Sequence, residues 1–387
     1  MSKHWRKQLE MGTESERGSH EVCTKNIDIG AIERSYLQLN LTSSLKRNLV
    51  VADAVKPSNV DGDLDGTYCE RYRSFVKTNP TGFNVGEYSV IADPETTEVD
   101  QAFIQYKTDK FTAKVGRQVI TLDDHRFVGH VGWRQDRQTF DAVSTKYAAT
   151  DNLALFYSYL YKRNRIFAEA ADLDSKDHIL HATYTSKIGK FVAYAYLLEV
   201  DNDTDNALDT YGVSYDGKMK GDNVSWAYGG EFATQSSEVG AGETATDFDA
   251  SYLNAYLAAT FSGITAKVDY EILGSDDGMY GFATPLATLH KFNGWTDQFL
   301  GTPAQGLKDL KFSLSGGLAG GKWLLAYHDF SADDSSNGVD DLGSEFNVQY
   351  TKKFAGKYNF GIKYGTYDAG DIKVDANRFW MWVGTRF

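Results

Sequence analysis

The connections between the predicted strands are the feature that most constrains this chain. Between residues 99 and 387, fifteen segments alternate apolar with polar residues, as in ITAKVDYEIL (264–273) and SEFNVQYTK (344–352). Short turns of about two to four residues alternate strictly with loops of about eight to 35 residues. A soluble sandwich or propeller does not sort its loops in this way, whereas a transmembrane barrel does. The pattern therefore predicts an all-β fold, a transmembrane antiparallel up-and-down β-barrel.

The strand count predicts that further strands lie upstream. Fifteen is odd, whereas bacterial single-chain barrels have an even number, and an open sheet would leave unpaired edges in lipid at several kcal/mol per backbone group. One or three more strands would give 16–18. The segment RSYLQLNLT (34–42) is the only stretch before residue 98 that reads as a strand.

The first 88 residues differ from the rest in their pattern. Residues 1–88 lack sustained alternation, and they have no secretory signal peptide as written. We interpret 1–88 as an anomalous N-terminal segment that reflects a frameshift or a misplaced start, and 89–387 as the outer-membrane barrel. A soluble N-terminal extension is the alternative interpretation.

Composition excludes several classes of function. The net charge of −13 argues against nucleic acid as a partner, because phosphate backbones are bound by basic surfaces. The two cysteines, Cys23 and Cys69, lie in the first seventy residues, and no phosphate loop or zinc-type cluster is present. The acidic stretches 201–206 and 332–341 are read as solvated loops, with calcium binding as the alternative. We expect no cofactor and no metal.

The last ten residues, RFWMWVGTRF, read as a membrane strand that ends at Phe387. Together with apolar alternate positions, Phe387 resembles the C-terminal signal that outer-membrane proteins present to the barrel-assembly machinery, although Thr385 departs from it. The expected surroundings are therefore outer-membrane lipid and lipopolysaccharide, and the expected partner in assembly is that machinery. The predicted location is the cell outer membrane.

Charged residues on the inward parity are candidates for lining a pore, because rings of charge set ion selectivity. The alternative is that these charges pair across the lumen in a structural ladder. The pore-lining candidates are Lys267, Asp269, Glu271, Lys311, His328, Glu345, Lys363 and Arg378.

Arginines near the loop ends of the early strands are candidates for a constriction or for anion binding. The guanidinium group suits carboxylates bidentately, and the same ladder is the alternative. The candidates are Arg117, Arg134, Arg137, Arg163 and Arg165.

Two loops carry further predictions. The loop 274–308 is too apolar to extend into water, so we expect it to fold into the barrel mouth and narrow the pore, with packing over the rim as the alternative. The stretch LDDHR (122–126) invites an enzyme interpretation, but a loop salt-bridge network is favoured, so we expect no catalytic residue. Tyrosines near strand ends are interpreted as interface girdles, namely Tyr157, Tyr159, Tyr161, Tyr194, Tyr196, Tyr211 and Tyr215.

Residues 114–143, KVGRQVITLDDHRFVGHVGWRQDRQTFDAV, resemble the alginate-export family of outer-membrane porins. The resemblance rests on Gly116-Arg117-Gln118, Asp124, Arg126-Phe127-Val128-Gly129, Trp133-Arg134 and Gln138-Thr139-Phe140-Asp141. The stretch 285–299 resembles another recurring segment of related porins, and the resemblance covers about residues 88–387. It implies a monomeric barrel of about eighteen strands with a charged lumen.

We interpret the chain as an outer-membrane porin for passive diffusion of small hydrophilic solutes, including anionic ones. An exporter of an anionic polysaccharide such as alginate is the first alternative. A barrel enzyme or adhesin is the second.

Overall fold

The computed structural model describes residues 19–32, 35–45, 68–73, 97–132, 136–167, 169–240, 246–356 and 358–386. Short 3-10 helices occupy Glu169–Ala171 and Leu289–Lys291. None of the helices in this described part of the chain is long and apolar enough to cross a membrane. The strands are β1 (Ser19–Ile32), β2 (Ser35–Leu45), β3 (Tyr68–Arg73), β4 (Thr97–Lys107), β5 (Phe111–Gln118), β6 (Thr139–Ala148), β7 (Leu153–Asn164), β8 (Leu173–Ser186), β9 (Gly189–Leu198), β10 (Asp205–Lys220), β11 (Val224–Gly240), β12 (Thr246–Phe261), β13 (Ile264–Leu273), β14 (Ser275–Asp276), β15 (Tyr280–Gly281), β16 (Leu307–Leu318), β17 (Gly321–Ser331), β18 (Asp341–Phe354), β19 (Tyr358–Asp368) and β20 (Ala376–Arg386).

Strands β4–β13 and β16–β20 form the antiparallel meander that the sequence predicts. Each strand pairs with the next along the chain, and β13 pairs with β16 across the long loop 274–306. The pair β14–β15 forms a separate hairpin inside that loop. All fifteen predicted strands are present, with their ends shifted by a few residues.

Three N-terminal strands bring the large sheet to eighteen strands. β2 pairs with β4, β1 with β2, β3 with β1, and β20 with β3 through Gly384–Arg386. Eighteen is one of the two even numbers that the odd count predicts. The order departs from a simple up-and-down arrangement here, because β3 follows β2 in sequence but lies between β1 and β20.

β1 to β3 fall within residues 1–88, which the sequence sets apart from the barrel. β2 matches the stretch 34–42 that reads as a strand, whereas β1 mixes apolar and charged residues on both parities and gives no such signal. The boundary at residue 88 lies outside the described residues. A frameshift or misplaced start concerns the coding sequence and stays a prediction.

Short and long connections alternate as the sequence predicts. Turns of two to four residues follow β4, β6, β8, β10, β12, β16 and β18, and longer segments follow the other strands of the meander. A bulge interrupts the pairing of β6 with β7, since Asp141 pairs with Lys162 and Ala142 pairs with Leu160, which leaves Tyr161 of β7 as the extra residue.

The two faces of the sheet differ in polarity. In β18, Phe346 is 43% exposed on the outer face, whereas Glu345 and Asn347 on either side of it are 1% and 0% exposed on the inner face. An apolar outside and a polar inside are what a barrel in lipid requires. Other exposed apolar residues on the outer face include Val115, Leu155, Tyr211, Val213, Phe232, Leu257, Val268, Phe312, Tyr327, Phe379 and Met381.

Candidate functional site: the barrel lumen

The loop 274–306 folds into the barrel, which confirms the expectation for its apolar side chains. Phe282, Leu286 and Phe299 are fully or almost fully buried. Phe282 packs against Tyr252 of β12 with 5.5 Å between ring centroids, and Phe299 packs against Phe330 of β17 at 4.8 Å. The loop therefore contacts inward-facing side chains from separate parts of the barrel wall.

A second loop, residues 119–138, packs against the first. The Gly129 amide donates to the carbonyl of Leu286 at 2.8 Å. The side-chain amide of Gln138 donates to the carbonyls of Gly129 and Leu286 at 2.9 and 3.0 Å. A Cβ atom on Gly129 would lie 2.3 Å from Thr288 Oγ1, so only glycine permits this approach. The two loops thus form one packed body within the lumen.

Arg126 joins both loops to the barrel wall. Its Nε and Nη2 atoms donate to the two carboxylate oxygens of Glu271 on β13 at 2.7 and 3.3 Å. Nη1 donates to Thr284 Oγ1 at 3.3 Å, and Nη2 also donates to Asn293 Oδ1 at 3.2 Å. Burial lowers the pKa of Arg126, but Glu271 and Tyr252 raise it more, so that its pKa lies above the usual value. The guanidinium stays charged and works as a buried clamp.

Glu345 on β18 holds the tip of the long loop. Its carboxylate accepts hydrogen bonds from the backbone amides of Trp295 and Thr296, the latter at 3.0 Å, and from the Thr296 hydroxyl at 2.5 Å. Gly294 has φ of +87°, and a Cβ atom there would meet the Glu345 carboxylate at 2.3 Å. Glu345 therefore anchors a turn whose backbone reaches the wall only because position 294 has no side chain.

A third set of contacts ties the same loop to β19 and β20. His290 Nδ1 lies 2.5 Å from Asp297 Oδ1, and Arg378 Nη1 donates to Asp297 Oδ2 at 2.5 Å. Lys363 contacts His290, and its ammonium lies 4.3 Å from the centroid of the Trp380 ring. All five side chains are buried or nearly so.

All eight predicted pore-lining residues lie on the inward parity of their strands, but they divide into two groups. Lys267, Asp269, Glu271 and Lys311 line a cavity of about 620 Å³. Glu345, Lys363 and Arg378 hold the long loop, and His328 Nδ1 lies 2.9 Å from both carboxylate oxygens of Asp309. Whether the first group lines the route of a solute stays a prediction.

The arginine candidates do not form one cluster. Arg117 binds Asp141 at 2.8 and 3.1 Å, Arg137 binds Asp100 at 2.7 Å twice, and Arg163 binds Asp177 at 2.8 and 2.6 Å. Each of these three arginines already binds a carboxylate of the chain, and whether any of them binds a solute anion stays a prediction. Arg165 lies 3.5 Å from the carbonyl of Pro285 in the long loop, where burial and then Arg163 lower its pKa. Arg134 lies outside the described residues.

The LDDHR stretch takes part in a salt-bridge network. Asp123 lies 2.7 Å from His181 Nε2 and 2.9 Å from Lys190 Nζ. Burial raises the pKa of Asp123, but these two partners lower it more, so that the carboxylate form is favoured. No group of three or more potential metal ligands occurs among the described residues.

Loop 119–138 carries unusual backbone conformations. Asp123, His125 and Val131 have φ of 47°, 73° and 50°. Positive φ in a β-branched residue such as Val131 is an outlier, and such strain persists only where the surrounding packing imposes it. The described parts of this loop, residues 119–132 and 136–138, are therefore held in place by their contacts with the wall and with loop 274–306.

Two tyrosines differ from the girdle interpretation. Tyr194 and Tyr196 on β9 are buried on the inner face, where their rings stack at 4.6 Å and contact Phe127 of loop 119–138. They share the parity of Val192 and Leu198, so their strand places apolar side chains against an inward loop. Among the other five, Tyr157, Tyr161 and Tyr211 are exposed on the outer face as expected.

Sequence reasoning also missed Arg126 and Lys291 as lumen residues. The signal for Arg126 was present in the family stretch RFVG, although nothing near it in sequence pointed to Glu271, 145 residues away. The position of Lys291 in the lumen follows only from the inward fold of its loop. Its Nζ atom lies 3.9 Å from Asp124 Oδ2.

Comparison with known proteins agrees with this architecture. A family model described as alginate export matches residues 73–267, half of the chain. Comparison with curated proteins gives no match. The solved structure of Pseudomonas aeruginosa OccK9 (OpdG) is 13% identical, with 95% of this chain and 97% of that chain covered and a TM-score of 0.61. The structure of P. aeruginosa OpdK with vanillate is 12% identical, with 96% of this chain and 98% of that chain covered and a TM-score of 0.61. A structure of the P. aeruginosa outer membrane protein opdK is 10% identical, with 96% of this chain and 98% of that chain covered and a TM-score of 0.60.

These identities show a shared fold, whereas the family model covers enough of the chain to establish the family. The chain therefore belongs to the alginate export family, and it is an outer-membrane protein with the barrel fold of these proteins.

Proposed function

We propose that this protein is a porin through which small hydrophilic solutes, including anionic ones, diffuse passively across the outer membrane. The observation that carries the proposal is the pair of inward loops, 119–138 and 274–306. They occupy part of the lumen and leave beside them a cavity of about 620 Å³ lined by charged side chains. Passive diffusion needs only a wet, shaped path, so no cofactor or catalytic group takes part.

Support for anionic solutes comes from the basic side chains that face the cavity and from a related fold. Lys267, Lys291 and Lys311 line the cavity together with seven carboxylates. All of these carboxylates but Glu231 are already paired with a lysine, arginine or histidine side chain of the described residues. The related OpdK structure is described as containing vanillate, a carboxylate. An anion that enters the lumen meets lysine ammonium groups, which attract it without binding it permanently.

Planar-bilayer recording tests the porin function. We expect open-channel conductance in the absence of any added solute, because the part of the lumen beside the two loops stays filled with water. The Glu345→Ala variant should raise single-channel conductance or open-channel noise, since the loop tip loses its anchor. Asp329→Ala, at an exposed outward position on the neighbouring strand β17, is the matched control. A correctly folded barrel with no conductance would contradict the proposal.

A second candidate function, export of an anionic polysaccharide such as alginate, is favoured by the family model. The same recording separates the two functions. Block of the open channel by uronate oligomers at low concentration favours the exporter, whereas unimpeded conductance favours the porin. Arg117, Arg137, Arg163 and Arg165 are the candidates for contact with uronate carboxylates, although three of them already hold carboxylates of the chain.

A barrel enzyme or adhesin is the remaining alternative. The arrangement most like a catalytic group is Asp123 with His181 and Lys190. Among the described residues, the only hydroxyl or thiol that contacts His181 is the Thr183 hydroxyl, at 3.5 Å. We therefore assign these residues to loop support.

Assembly belongs to the same proposal. The final strand β20 and Phe387 present the pattern expected of a substrate of the barrel-assembly machinery, and lipopolysaccharide would surround the outer surface. Replacement of Phe387 by Ser should lower the amount of folded protein in the outer membrane. Equal amounts of folded wild-type and variant protein would contradict recognition of this residue.

A further inference from the structure

The cavity beside the two loops is lined by charges of both signs, most of which are paired with one another. It lies against the inner face of β9–β13 and β16, with loop residues closing one side. Strands β9–β11 contribute Asp216 and Glu231 with one lysine, Lys190, and we call this part the acidic wall. Strands β13 and β16, together with Lys291, form the part that we call the basic wall. Its three carboxylates, Asp269, Glu271 and Asp309, are already bound by Lys267, Arg126 and His328. The salt bridges decide which of these charges remain available to a solute.

On the acidic wall, carboxylates exceed their cationic partners. Lys190 serves two of them, with Nζ 2.9 Å from Asp123 Oδ1 and 3.3 Å from Asp216 Oδ2. Glu231 on β11 accepts a hydrogen bond from the Tyr194 hydroxyl at 2.8 Å. Among the described residues, no Lys, Arg or His nitrogen lies within 4.0 Å of the Glu231 carboxylate. Glu231 is thus a carboxylate at the cavity surface without a cation.

On the basic wall, one lysine remains available. Lys311 on β16 makes no ion pair with any carboxylate of the described residues. Lys291 donates to the backbone carbonyl of Asp124 at 2.5 Å and lies 3.9 Å from its carboxylate. Lys267 is bound to Asp269. Burial lowers the pKa of Lys291, Asp124 raises it, and the nearby Lys311 and Lys267 lower it again. Lys311 is therefore the ammonium group of this wall that has no carboxylate of the described residues as a partner.

Strand β12 separates the walls with neutral hydrogen-bond donors. Tyr256 donates to Asp216 Oδ1 at 2.8 Å on the acidic side, and Asn254 donates to Asp269 Oδ1 at 2.6 Å on the basic side. β11 and β16 are three strand spacings apart in the sheet, about 14 Å between backbones. Lysine and glutamate side chains reach into this gap, which leaves room for a small solute between the two signs of charge.

We propose that this cavity selects small amphoteric solutes, molecules with both a carboxylate and an ammonium group, over solutes of one charge sign. The inference rests on the porin function proposed above. The carboxylate of the solute lies toward Lys311, and its ammonium lies toward Glu231. A solute with one charge leaves the opposite wall unpaired and is repelled by the like-charged wall.

Uptake of labelled solutes into proteoliposomes tests the inference. The probes are 4-aminobutanoate, butanoate and butylammonium, which have similar sizes and differ in charge. We expect 4-aminobutanoate to enter the wild-type proteoliposomes several-fold faster than either of the others. Glu231→Gln should reduce its advantage over butanoate, and Lys311→Gln should reduce its advantage over butylammonium.

Lys187→Gln is the matched control, because Lys187 is exposed in the short turn between β8 and β9. It should leave all three rates unchanged. Equal entry of the three probes into wild-type proteoliposomes would overturn the charge selectivity and leave the porin function intact. A folded barrel that admits none of them would contradict the porin function and this inference with it.

Discussion

At the scale of single residues, Arg126 holds the two inward loops together and ties them to the barrel wall. It connects loop 119–138 to Thr284 and Asn293 of the long loop and to Glu271 of β13. A buried guanidinium–carboxylate pair contributes modestly to stability when intact, but removal of one partner leaves a buried charge without compensation.

Arg126→Met should therefore destabilise the protein by about 3–5 kcal/mol. Urea unfolding in lipid vesicles, followed by tryptophan fluorescence, measures this loss. Arg117→Met is the control, because its pair with Asp141 is partly exposed, with side-chain exposures of 22% and 17%, and such pairs are worth about 1 kcal/mol or less. Similar losses for the two variants would contradict the role of Arg126 as a buried clamp.

Asp123 predicts a dependence of stability on pH. Its pKa in the folded protein lies below the usual 3.8, because hydrogen bonds from His181 and Lys190 outweigh the effect of burial. A lowered carboxylate pKa contributes stability that is fully present above the unfolded value and is lost as the pH falls through the folded value.

The difference in Tm between wild type and Asp123→Asn should shrink as the pH falls below about 4. Thermal unfolding across this range measures the difference. Asp222→Asn, in the exposed turn between β10 and β11, controls for the change of charge itself. A difference that persists unchanged at pH 2 would show that Asp123 acts through something other than its ionised form.

At the scale of elements, the pairing of β4 with β5 depends on Gly116. This residue has φ of +119°, and a Cβ atom there would lie 2.3 Å from the carbonyl oxygen of Ala102 and 3.0 Å from the Cα atom of Phe103. Gly116 is thus required by close approach of the neighbouring strand as well as by its backbone conformation.

Gly116→Ala should cost about 1–3 kcal/mol and separate β4 from β5 locally. Hydrogen exchange of the β4 and β5 amides, measured together with urea unfolding, detects both effects. Gly230→Ala is the matched control, because a Cβ atom there meets only Asn254 O at 3.4 Å, an ordinary contact. Equal protection of the β4 and β5 amides in wild type and Gly116→Ala would rule out the steric role.

At the scale of the whole molecule, the outer face of the barrel is apolar and the inner face polar. Val213 on β10 is 56% exposed on the outside, and Ser214 lines the cavity on the inside. Val213→Lys should cost about 2–4 kcal/mol if its position is near the middle of the bilayer, whereas Ser214→Lys should cost little. Urea unfolding in vesicles compares the two variants, and a larger loss for Ser214→Lys would reverse the assignment of faces.

Much of the barrel was predictable because a strand in lipid repeats with period two and each short turn joins neighbouring strands. The fifteen strands of the meander, β4–β13 and β16–β20, and the alternation of their connections follow from these local rules. β1 and β3 did not follow, because their residues mix apolar and polar types on both parities. For the site, the sequence predicted only which face of the sheet the charged side chains lie on.

The sequence by itself determined the class of fold, the inward direction of residues such as Glu345 and Lys311, and the inward fold of an apolar loop. Only the tertiary structure decided that Glu345 anchors that loop while Lys311 stays available at the cavity. The reason is physical. Alternation is a local property of the chain, whereas the partner of a charge depends on contacts between residues far apart in sequence, such as the pair formed by Arg126 and Glu271.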